Sequence, residues 1–234
     1  MLSRVANSIY WINRFIERAE NYARFIDVNH RLTMDLPPGL EEQWKPLVET
    51  TGDQDAFEGK FGENYSKDNV IQFLVFDREN PNSIISCLSL ARENARTVRE
   101  IISSEMWLQI NELYLEVKHG ITNSNWDEGN LTEMLSSIKR GGHTFDGIMD
   151  ATYSHTEGWH FGIMGRYFER ADKTARILDM KYYYLLPRVQ DINSPLDLIQ
   201  WSALLRSASA YEMYRKKHGK LETKSIIKFL TLDR

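Results

Sequence analysis

The feature that most constrains this chain is a motif that occurs twice. Residues 14–27 read RFIERAENYARFID and residues 166–179 read RYFERADKTARILD, and they align without a gap at an offset of 152 residues. The identical positions are Arg14, Glu17, Arg18, Ala19, Ala23, Arg24 and Asp27, which recur as Arg166, Glu169, Arg170, Ala171, Ala175, Arg176 and Asp179. Such self-similarity predicts a duplicated helical unit rather than chance amphipathicity.

Two weaker matches follow the motif in the same order. Trp44, Leu47 and Val48 correspond to Trp201, Leu204 and Leu205, and FLVFDR at 73–78 corresponds to FLTLDR at 229–234. We therefore predict a single domain over 1–234 with repeat copies at 1–152 and 153–234. The second copy has no counterpart of residues 79–152, so we expect it to be incomplete at the C-terminus, with an uncovered helix groove and self-association. The alternative is an insertion in the first copy.

Hydrophobic periodicity predicts an all-α fold. Steps of three and four residues define one apolar stripe on a long helix over 3–33, formed by Ile9, Ile12, Ile16, Ala19, Ala23 and Ile26. Six prolines and 13 glycines leave room for long helices, and Pro37-Pro38 should end this one. Further helices are predicted over 41–50, 70–76, 83–118 and 126–156, with a kink at Gly141-Gly142. Residues 51–67 are predicted to be a loop with at most one turn of helix. The expected architecture is a helical bundle built from two related helical units.

Composition narrows the class of protein. The 29 basic and 33 acidic residues give a formal net charge of −4, so no bulk positive field would gather nucleic acid or anionic lipid. No stretch approaches about 18 consecutive apolar residues, which argues against a membrane-spanning helix. The single cysteine, Cys87, fits a reducing compartment, and its apolar setting indicates a buried side chain rather than a nucleophile. Without a recognisable targeting segment, we expect a cytoplasmic protein.

These motifs resemble the bacterial alpha-E family, named for a predicted α-helical domain with a recurring Glu-Arg motif. The resemblance covers essentially the whole chain and rests on MLSRVANSIYWINRFIERAENYAR, FDRENPNSIISCLSLARENARTVRE, FGIMGRYFERADKTAR and WSALLRSASAYEMYR. Family members usually continue past the Leu-Asp-Arg at 232–234, where this sequence departs from the pattern. The resemblance implies a companion role beside circularly permuted ATP-grasp ligases and transglutaminase-like cysteine peptidases.

By this resemblance the chain would serve an ATP-dependent system that makes or trims amide bonds, as a scaffold or peptide-handling subunit. The sequence holds no phosphate-binding glycine motif, so a partner would bind ATP and we expect no cofactor here. The alternative is an enzyme in its own right, with Glu17 or Glu169 as acid or base and arginines stabilising an anionic substrate. The Glu-x-x-His sequence at 157–160 has the spacing of a di-iron ligand pair, but it contains Gly158 and lies near a helix start, so we predict no metal site.

The repeated polar residues form the candidate binding site. They lie on the helix face opposite the apolar stripe, and arginines of the helix predicted over 83–118 recur at a similar spacing. The candidates are Arg14, Glu17, Arg18, Arg24, Arg92, Arg96, Arg166, Glu169, Arg170 and Arg176. They are interpretable as solvated faces with weak ion pairs of about 0.2–0.5 kcal/mol, as a buried network that fixes helix pairing, or as a polar cleft. In the cleft, the arginines would bind the carboxylate or phosphate of an anionic peptide-like ligand.

Overall fold

The structure is a computed structural model that describes residues 1–34, 44–122, 128–183 and 194–233. Every regular element within these ranges is helical, with no strand, which confirms the all-α prediction. The helices are α1 (Ser3–Met34), α2 (Lys45–Thr51), α3 (Gln54–Phe61), α4 (Lys67–Ile71) with a π-helical extension (Gln72–Phe76), α5 (Ile84–Thr97), α6 (Ser104–Thr122), α7 (Glu128–Thr152), α8 (Glu157–Tyr183), α9 (Pro195–Ser207), α10 (Tyr211–His218) and α11 (Thr223–Leu232). Within these residues, no helix combines the length and apolar character needed to cross a membrane.

The helices form two compact units. Unit 1 comprises Met1–Asp27 and Ser66–Ala171, and unit 2 comprises Val28–Tyr65 and Asp172–Arg234. Helices α1 and α8 each supply residues to both units. These units do not follow the boundaries of the two sequence copies, so the division into 1–152 and 153–234 stays a prediction.

The predicted apolar stripe of α1 supplies the core of unit 1. Its residues Ile9, Ile12 and Ile16 are almost completely buried. They belong to one cluster with Ala91, Ala95 and Val98 from the α5 region, Met106 and Ile110 of α6, and Phe145 and Met149 of α7. The periodicity of the sequence therefore identified the buried face of α1, and that face is covered by three helices of the same unit.

The helix predicted over 83–118 is interrupted. It starts as expected, with the Ser83 hydroxyl accepting a hydrogen bond from the Ser86 amide at 3.2 Å. However, α5 ends at Thr97 and α6 begins only at Ser104. The Ser103 hydroxyl accepts the Met106 amide at 3.1 Å, which satisfies a free N–H group at the new helix start. The apolar stripe continues across this break in both helices, and for that reason periodicity alone could not detect it.

The loop predicted over 51–67 is wrong, because α3 occupies Gln54–Phe61. Phe57 is completely buried in unit 2 and stacks on Tyr65, with ring centroids 4.6 Å apart. The Tyr65 hydroxyl also donates to Glu58 Oε1 at 2.7 Å. Burial and this hydrogen bond raise the pKa of Tyr65 above its ordinary value. A short helix is thus stabilised by tertiary packing, which overrides the weak helix propensity of a glycine-rich stretch.

One other local prediction has a clear outcome. The helix predicted over 70–76 is confirmed as α4 and its π-helical extension, with Ser66 capping α4 through the Asn69 amide. Helix α7 is continuous through Gly141 and Gly142, and the kink there stays a prediction. The prediction that Pro37-Pro38 ends α1 lies outside the described residues. For the helix predicted over 126–156, the start at residue 126 also lies outside them.

Candidate functional site

The repeated motif brings α1 and α8 together within unit 1. Residue numbers rise in the same direction along both helices, since Tyr10 lies beside Gly165 and Arg14 pairs with Glu169. A Cβ atom added at Gly165 would overlap the carbonyl oxygen of Tyr10, and one added at Gly162 would lie 2.7 Å from Nδ2 of Asn13. Glycine at these two positions therefore permits the close approach that brings charged side chains of the two helices into contact.

We expect Gly165→Ala to lower the free energy of unfolding by about 1–3 kcal/mol, because the added methyl group meets rigid backbone on α1. The matched control is Gly147→Ala in α7, where an added Cβ meets open space. That control should stabilise the protein by up to about 1 kcal/mol through helix propensity alone. Urea denaturation of both variants measures the difference. Equal stability of the two variants would mean that α1 and α8 are not held this closely.

Glu169 is the centre of the charged contact. Its side chain is completely buried, and its two oxygens accept bonds from two guanidinium groups. Arg18 donates from Nε to Oε1 at 2.7 Å and from Nη2 to Oε2 at 2.9 Å. Arg14 donates from Nε to Oε2 at 2.9 Å, and its Nη2 lies 2.8 Å from the same oxygen. The carboxylate is therefore saturated with charged donors.

The arginines that bind Glu169 have further contacts. Arg18 donates from Nη1 to the side-chain oxygen of Asn82 at 2.6 Å. Arg14 donates from Nη1 to the Tyr10 hydroxyl at 3.2 Å, and its guanidinium carbon lies 5.1 Å from the centre of the Trp11 ring. These contacts restrict both guanidinium planes and fix their orientation toward Glu169.

In the second half of the cluster, the arginine lies on α8 and the glutamate lies on α1, which is the reverse of the first half. Arg170 of α8 donates from Nε and Nη2 to the two oxygens of Glu17 on α1, both at 2.9 Å. Asn21 donates to the same carboxylate at 3.3 Å. Under the 152-residue offset, Glu17 corresponds to Glu169 and Arg18 to Arg170. Each copy of the motif therefore supplies a glutamate to the other copy's arginine. We call Arg14, Glu17, Arg18, Glu169 and Arg170 the Arg-Glu cluster.

Burial and charge act against each other in the Arg-Glu cluster. Burial alone would lower the pKa of Arg18, but the hydrogen bonds and charge of Glu169 outweigh it and raise that pKa. Likewise, Glu17 outweighs burial and raises the pKa of Arg170. Three guanidinium groups face two carboxylates, which leaves one excess positive charge. Most of this charge is shielded from solvent, but the Arg170 side chain is 46% exposed. The interpretation of these positions as solvated faces is wrong for Glu17 and Glu169, which are buried.

Two other predicted arginines, Arg24 of α1 and Arg166 of α8, lie outside the cluster and contact α7. Arg24 pairs with Glu20 on its own helix, and its Nη2 lies 3.4 Å from His143 Nε2 of α7. Burial lowers the pKa of Arg24, and it also lowers the pKa of His143, with Arg24 adding to that effect. Arg166 pairs with Asp146 of α7 at 2.8 Å. The Arg24–His143 contact connects α1 to α7, and the Arg166–Asp146 pair connects α8 to α7.

The remaining predicted arginines have contacts elsewhere. Arg92 of α5 donates to Asn111 of α6 at 2.6 Å, and its guanidinium carbon lies 5.7 Å from the Trp107 ring centre. Arg96 is exposed and pairs with Glu93 on its own helix at 2.8 Å. Arg176 belongs to unit 2, where it donates to Asp172 at 3.0 Å. On α5, Arg92 therefore stabilises the contact with α6, whereas Arg96 faces solvent.

Sequence reasoning missed two neutral partners of the cluster, Asn82 and Tyr10. Asn82 lies in the turn before α5, where its backbone N–H also donates to the side-chain oxygen of Asn80 at 2.9 Å. Tyr10 precedes the repeated motif by one helical turn. The spacing of Tyr10 from Arg14, four residues, is a usable signal for a contact along one helix. No comparable signal exists for Asn82, because its contact with Arg18 depends on tertiary folding.

Two secondary candidates have structural roles. Glu157, from the Glu-x-x-His sequence, accepts a bond from the N-terminal amine at 2.6 Å, which lowers its pKa. In the described parts of the chain, no group of three or more His, Cys, Asp or Glu side chains is placed to hold a metal ion. Cys87 is completely buried, as its apolar setting predicted, and its thiol lies 3.4 Å from the Asn82 carbonyl oxygen.

Comparison with known proteins supplies a family for this geometry. The family model Alpha-E, described as a predicted alpha-helical domain with a conserved ER motif, matches residues 1–234. Uncharacterized proteins of Mycobacterium bovis and Mycobacterium tuberculosis are each 24% identical to the chain, over 71% of this chain and 21% of the relative. The chain thus spans about a fifth of the length of these curated relatives. No solved structure matches it significantly. In this sequence, the Glu-Arg dipeptide stands at 17–18 and 169–170, at the centre of the cluster.

Proposed function

The chain belongs to the Alpha-E family, and on this premise we propose that it is a helical component of an ATP-grasp-linked system that makes or trims amide bonds. In this proposal, the protein acts as a scaffold or peptide-handling subunit beside a circularly permuted ATP-grasp protein and a transglutaminase-like protein. It acts in the cytoplasm and leaves ATP binding to its partner. The Arg-Glu cluster is its contact with an anionic peptide-like ligand.

The observation that carries this proposal is the anchored and half-exposed guanidinium of Arg170. Glu17 holds it by two parallel hydrogen bonds of 2.9 Å, through Nε and Nη2. The remaining N–H groups therefore have a fixed direction, and the cluster has one positive charge in excess. A fixed guanidinium edge matches the carboxylate of a peptide in both charge and shape. Arg170 thus provides a site for an acidic side chain or a C-terminal carboxylate.

The bonding of the two glutamates favours a positioning role over proton transfer. Glu169 accepts bonds from two arginines, and Glu17 accepts bonds from Arg170 and Asn21. A general base needs an oxygen lone pair within hydrogen-bond reach of the substrate proton. Because charged donors surround these oxygens, the alternative of an independent enzyme based on Glu17 or Glu169 receives less support than the subunit role.

The relatives support a modular role. The matching region makes up 21% of each mycobacterial protein, so the same kind of helical unit occurs there within a much longer chain. A unit that is joined to other sequence in some proteins is suited to act beside partners in others. This is the behaviour expected of a scaffold or substrate-handling component.

The direct test combines this chain with a circularly permuted ATP-grasp protein encoded in the same genome. We expect the two proteins to form a complex, and we expect the chain to increase ADP release in the presence of peptides with free carboxylates. Arg170→Met should reduce that increase by about ten-fold, which corresponds to about 1.4 kcal/mol of lost binding to an anion. Isothermal titration and a coupled ADP assay measure the two effects.

The matched control is Arg96→Met. Arg96 is more exposed than Arg170 and pairs with a residue of its own helix, so this variant should behave as the wild type. Equal effects of the two substitutions would remove the cluster from the ligand site. Absence of both a complex and a change in ADP release would contradict the subunit role. Turnover by the isolated chain that is lost in Glu169→Gln would favour the enzyme alternative instead.

A further inference from the structure

Helix α8 has an inverted arrangement of polar and apolar side chains in unit 1. Its buried side holds Glu169, together with the glycines that contact α1. Its outer side holds large apolar residues that are substantially exposed: Phe161 (37%), Met164 (39%), Tyr167 (54%) and Phe168 (58%). Their spacing of three, four and seven residues places them on one face of the helix. We call Phe161, Met164, Tyr167, Phe168 and Ala171 the α8 face.

The internal repeat shows what kind of surface the α8 face is. Under the 152-residue offset, Phe161, Met164, Phe168 and Ala171 correspond to Ile9, Ile12, Ile16 and Ala19 of α1. Those four α1 residues are at most 3% exposed, and the three isoleucines pack in the core against α5, α6 and α7. The α8 face thus has the composition of a core stripe but the exposure of a surface. A contiguous exposed apolar face of this kind marks an interaction site.

We propose that the α8 face pairs with the α8 face of a second copy of this chain, in an antiparallel arrangement about a two-fold axis near Met164. In this pairing, Phe161 of one copy lies opposite Phe168 of the other. The face contains no Asp, Glu, Lys or Arg, so self-pairing sets no like charges against each other. Two-fold dimers use one self-complementary surface twice, which suits a single uncharged apolar face.

The size of the face agrees with a modest dimer. Four large side chains at these exposures offer about 400 Å² of apolar surface per copy, within the range of patches that are functional on monomers. Two such faces would bury about 800 Å² in total, which falls in the range of weak, transient interfaces rather than obligate ones. We therefore expect a dimer with a dissociation constant in the range of about 1–50 µM.

Sedimentation velocity of the full chain from about 1 to about 200 µM tests this proposal across the expected dissociation constant. We expect reversible dimerisation in the wild type. The double variant Met164→Glu/Phe168→Glu should raise the dissociation constant by at least about 100-fold, because it sets four carboxylates against each other in an apolar seam. Leu108→Glu on α6 is the control, since Leu108 is at least as exposed but lies outside the α8 face. This variant should dimerise as the wild type does.

A cysteine variant tests the geometry independently. Cys87 is the sole cysteine and is completely buried, so Met164→Cys introduces one accessible thiol. Close to the two-fold axis, this thiol should form an intermolecular disulfide rapidly under mild oxidation, at least about ten-fold faster than Leu108→Cys. A chain that stays monomeric throughout, or a dimer that persists in the glutamate variant, would overturn the proposal. Equal cross-linking rates would overturn it as well. None of these measurements involves the ATP-grasp protein.

Discussion

Replacing Glu169 with glutamine should lower the free energy of unfolding by about 3–5 kcal/mol, because it leaves two guanidinium groups without their buried counter-charge. Glutamine preserves the shape of the side chain, so no cavity contributes to the loss. Its amide nitrogen, however, would point a donor at Arg14 or Arg18, which are themselves donors. Glu169 is completely buried, so water cannot replace the missing interaction.

Glu17→Gln is the matched control, because it makes the same chemical change in the other copy of the motif. Its partner Arg170 is half exposed and is hydrated after the change, so we expect a loss of about 1–2 kcal/mol. Urea denaturation followed by circular dichroism measures both losses, and hydrogen exchange of α1 and α8 amides localises them. A loss below about 1 kcal/mol for Glu169→Gln would contradict a stabilising role for the buried network.

A double-mutant cycle separates the pair from its surroundings. If Arg18 and Glu169 stabilise each other, Arg18→Met combined with Glu169→Gln should cost less than the sum of the single losses, with a coupling of about 2 kcal/mol. Arg14 still faces the neutral glutamine in the double variant, so the recovery should be incomplete. Additive losses would mean that the two side chains lie close together without depending on each other.

The sequence identified the residues of the cluster, but it left open whether they are solvated, buried or part of a cleft. Periodicity identified the apolar stripe of α1, and the repeat singled out Glu17, Arg18, Glu169 and Arg170. Periodicity reports only which residues share a face, and α1 is buried on both faces, one against α5–α7 and the other against α8. A polar face is normally read as solvated because charged groups are costly to bury. Here, Glu17 and Glu169 are buried and each pairs with an arginine of the other helix, as in the interpretation of the motif as a buried network, and only the structure shows which residues pair.

The missed elements have a common physical origin in tertiary contacts. Helix α3 forms in a glycine-rich stretch because Phe57 is buried, and the break between α5 and α6 is stabilised by Ser103. Neither effect changes the hydrophobic period of the sequence. Similarly, the arginine spacing of α5 resembles that of α1, but Arg92 contacts α6 and Arg96 faces solvent. Equal spacing on two helices does not distinguish a buried partner from water.

Unit 2 contains a second buried ion pair, which carries the other large expected effect. Lys181 of α8 is completely buried and donates to Asp197 Oδ1 at 2.8 Å and to Gln200 Oε1 at 2.7 Å, both on α9. Its ammonium nitrogen also lies 5.3 Å from the centre of the Trp201 ring. Burial lowers the pKa of Lys181 below its ordinary value of 10.5, although Asp197 acts in the opposite direction. The charged form of Lys181 is therefore tolerated in the core because Asp197 supplies a counter-charge.

Asp197→Asn should lower the free energy of unfolding by about 3–5 kcal/mol at neutral pH, because the lysine then stays buried without a counter-charge. The backbone amide of residue 197 still donates to Ser194, so the start of α9 is preserved. Removing the carboxylate lowers the folded-state pKa of Lys181 further below its unfolded-state value. A lowered lysine pKa penalises folding below the folded-state pKa, and the penalty disappears as the pH rises toward 10.5.

The loss in Asp197→Asn should therefore shrink between neutral pH and pH 10.5, relative to the wild type measured at each pH. Urea denaturation at a series of pH values provides this comparison. The double variant Lys181→Met/Asp197→Leu removes both charges and should recover most of the stability with little pH dependence. Glu93→Gln, at the exposed pair with Arg96, should cost less than about 1 kcal/mol. If Asp197→Asn were as mild as Glu93→Gln at neutral pH, the ammonium group of Lys181 would have to reach water in unit 2.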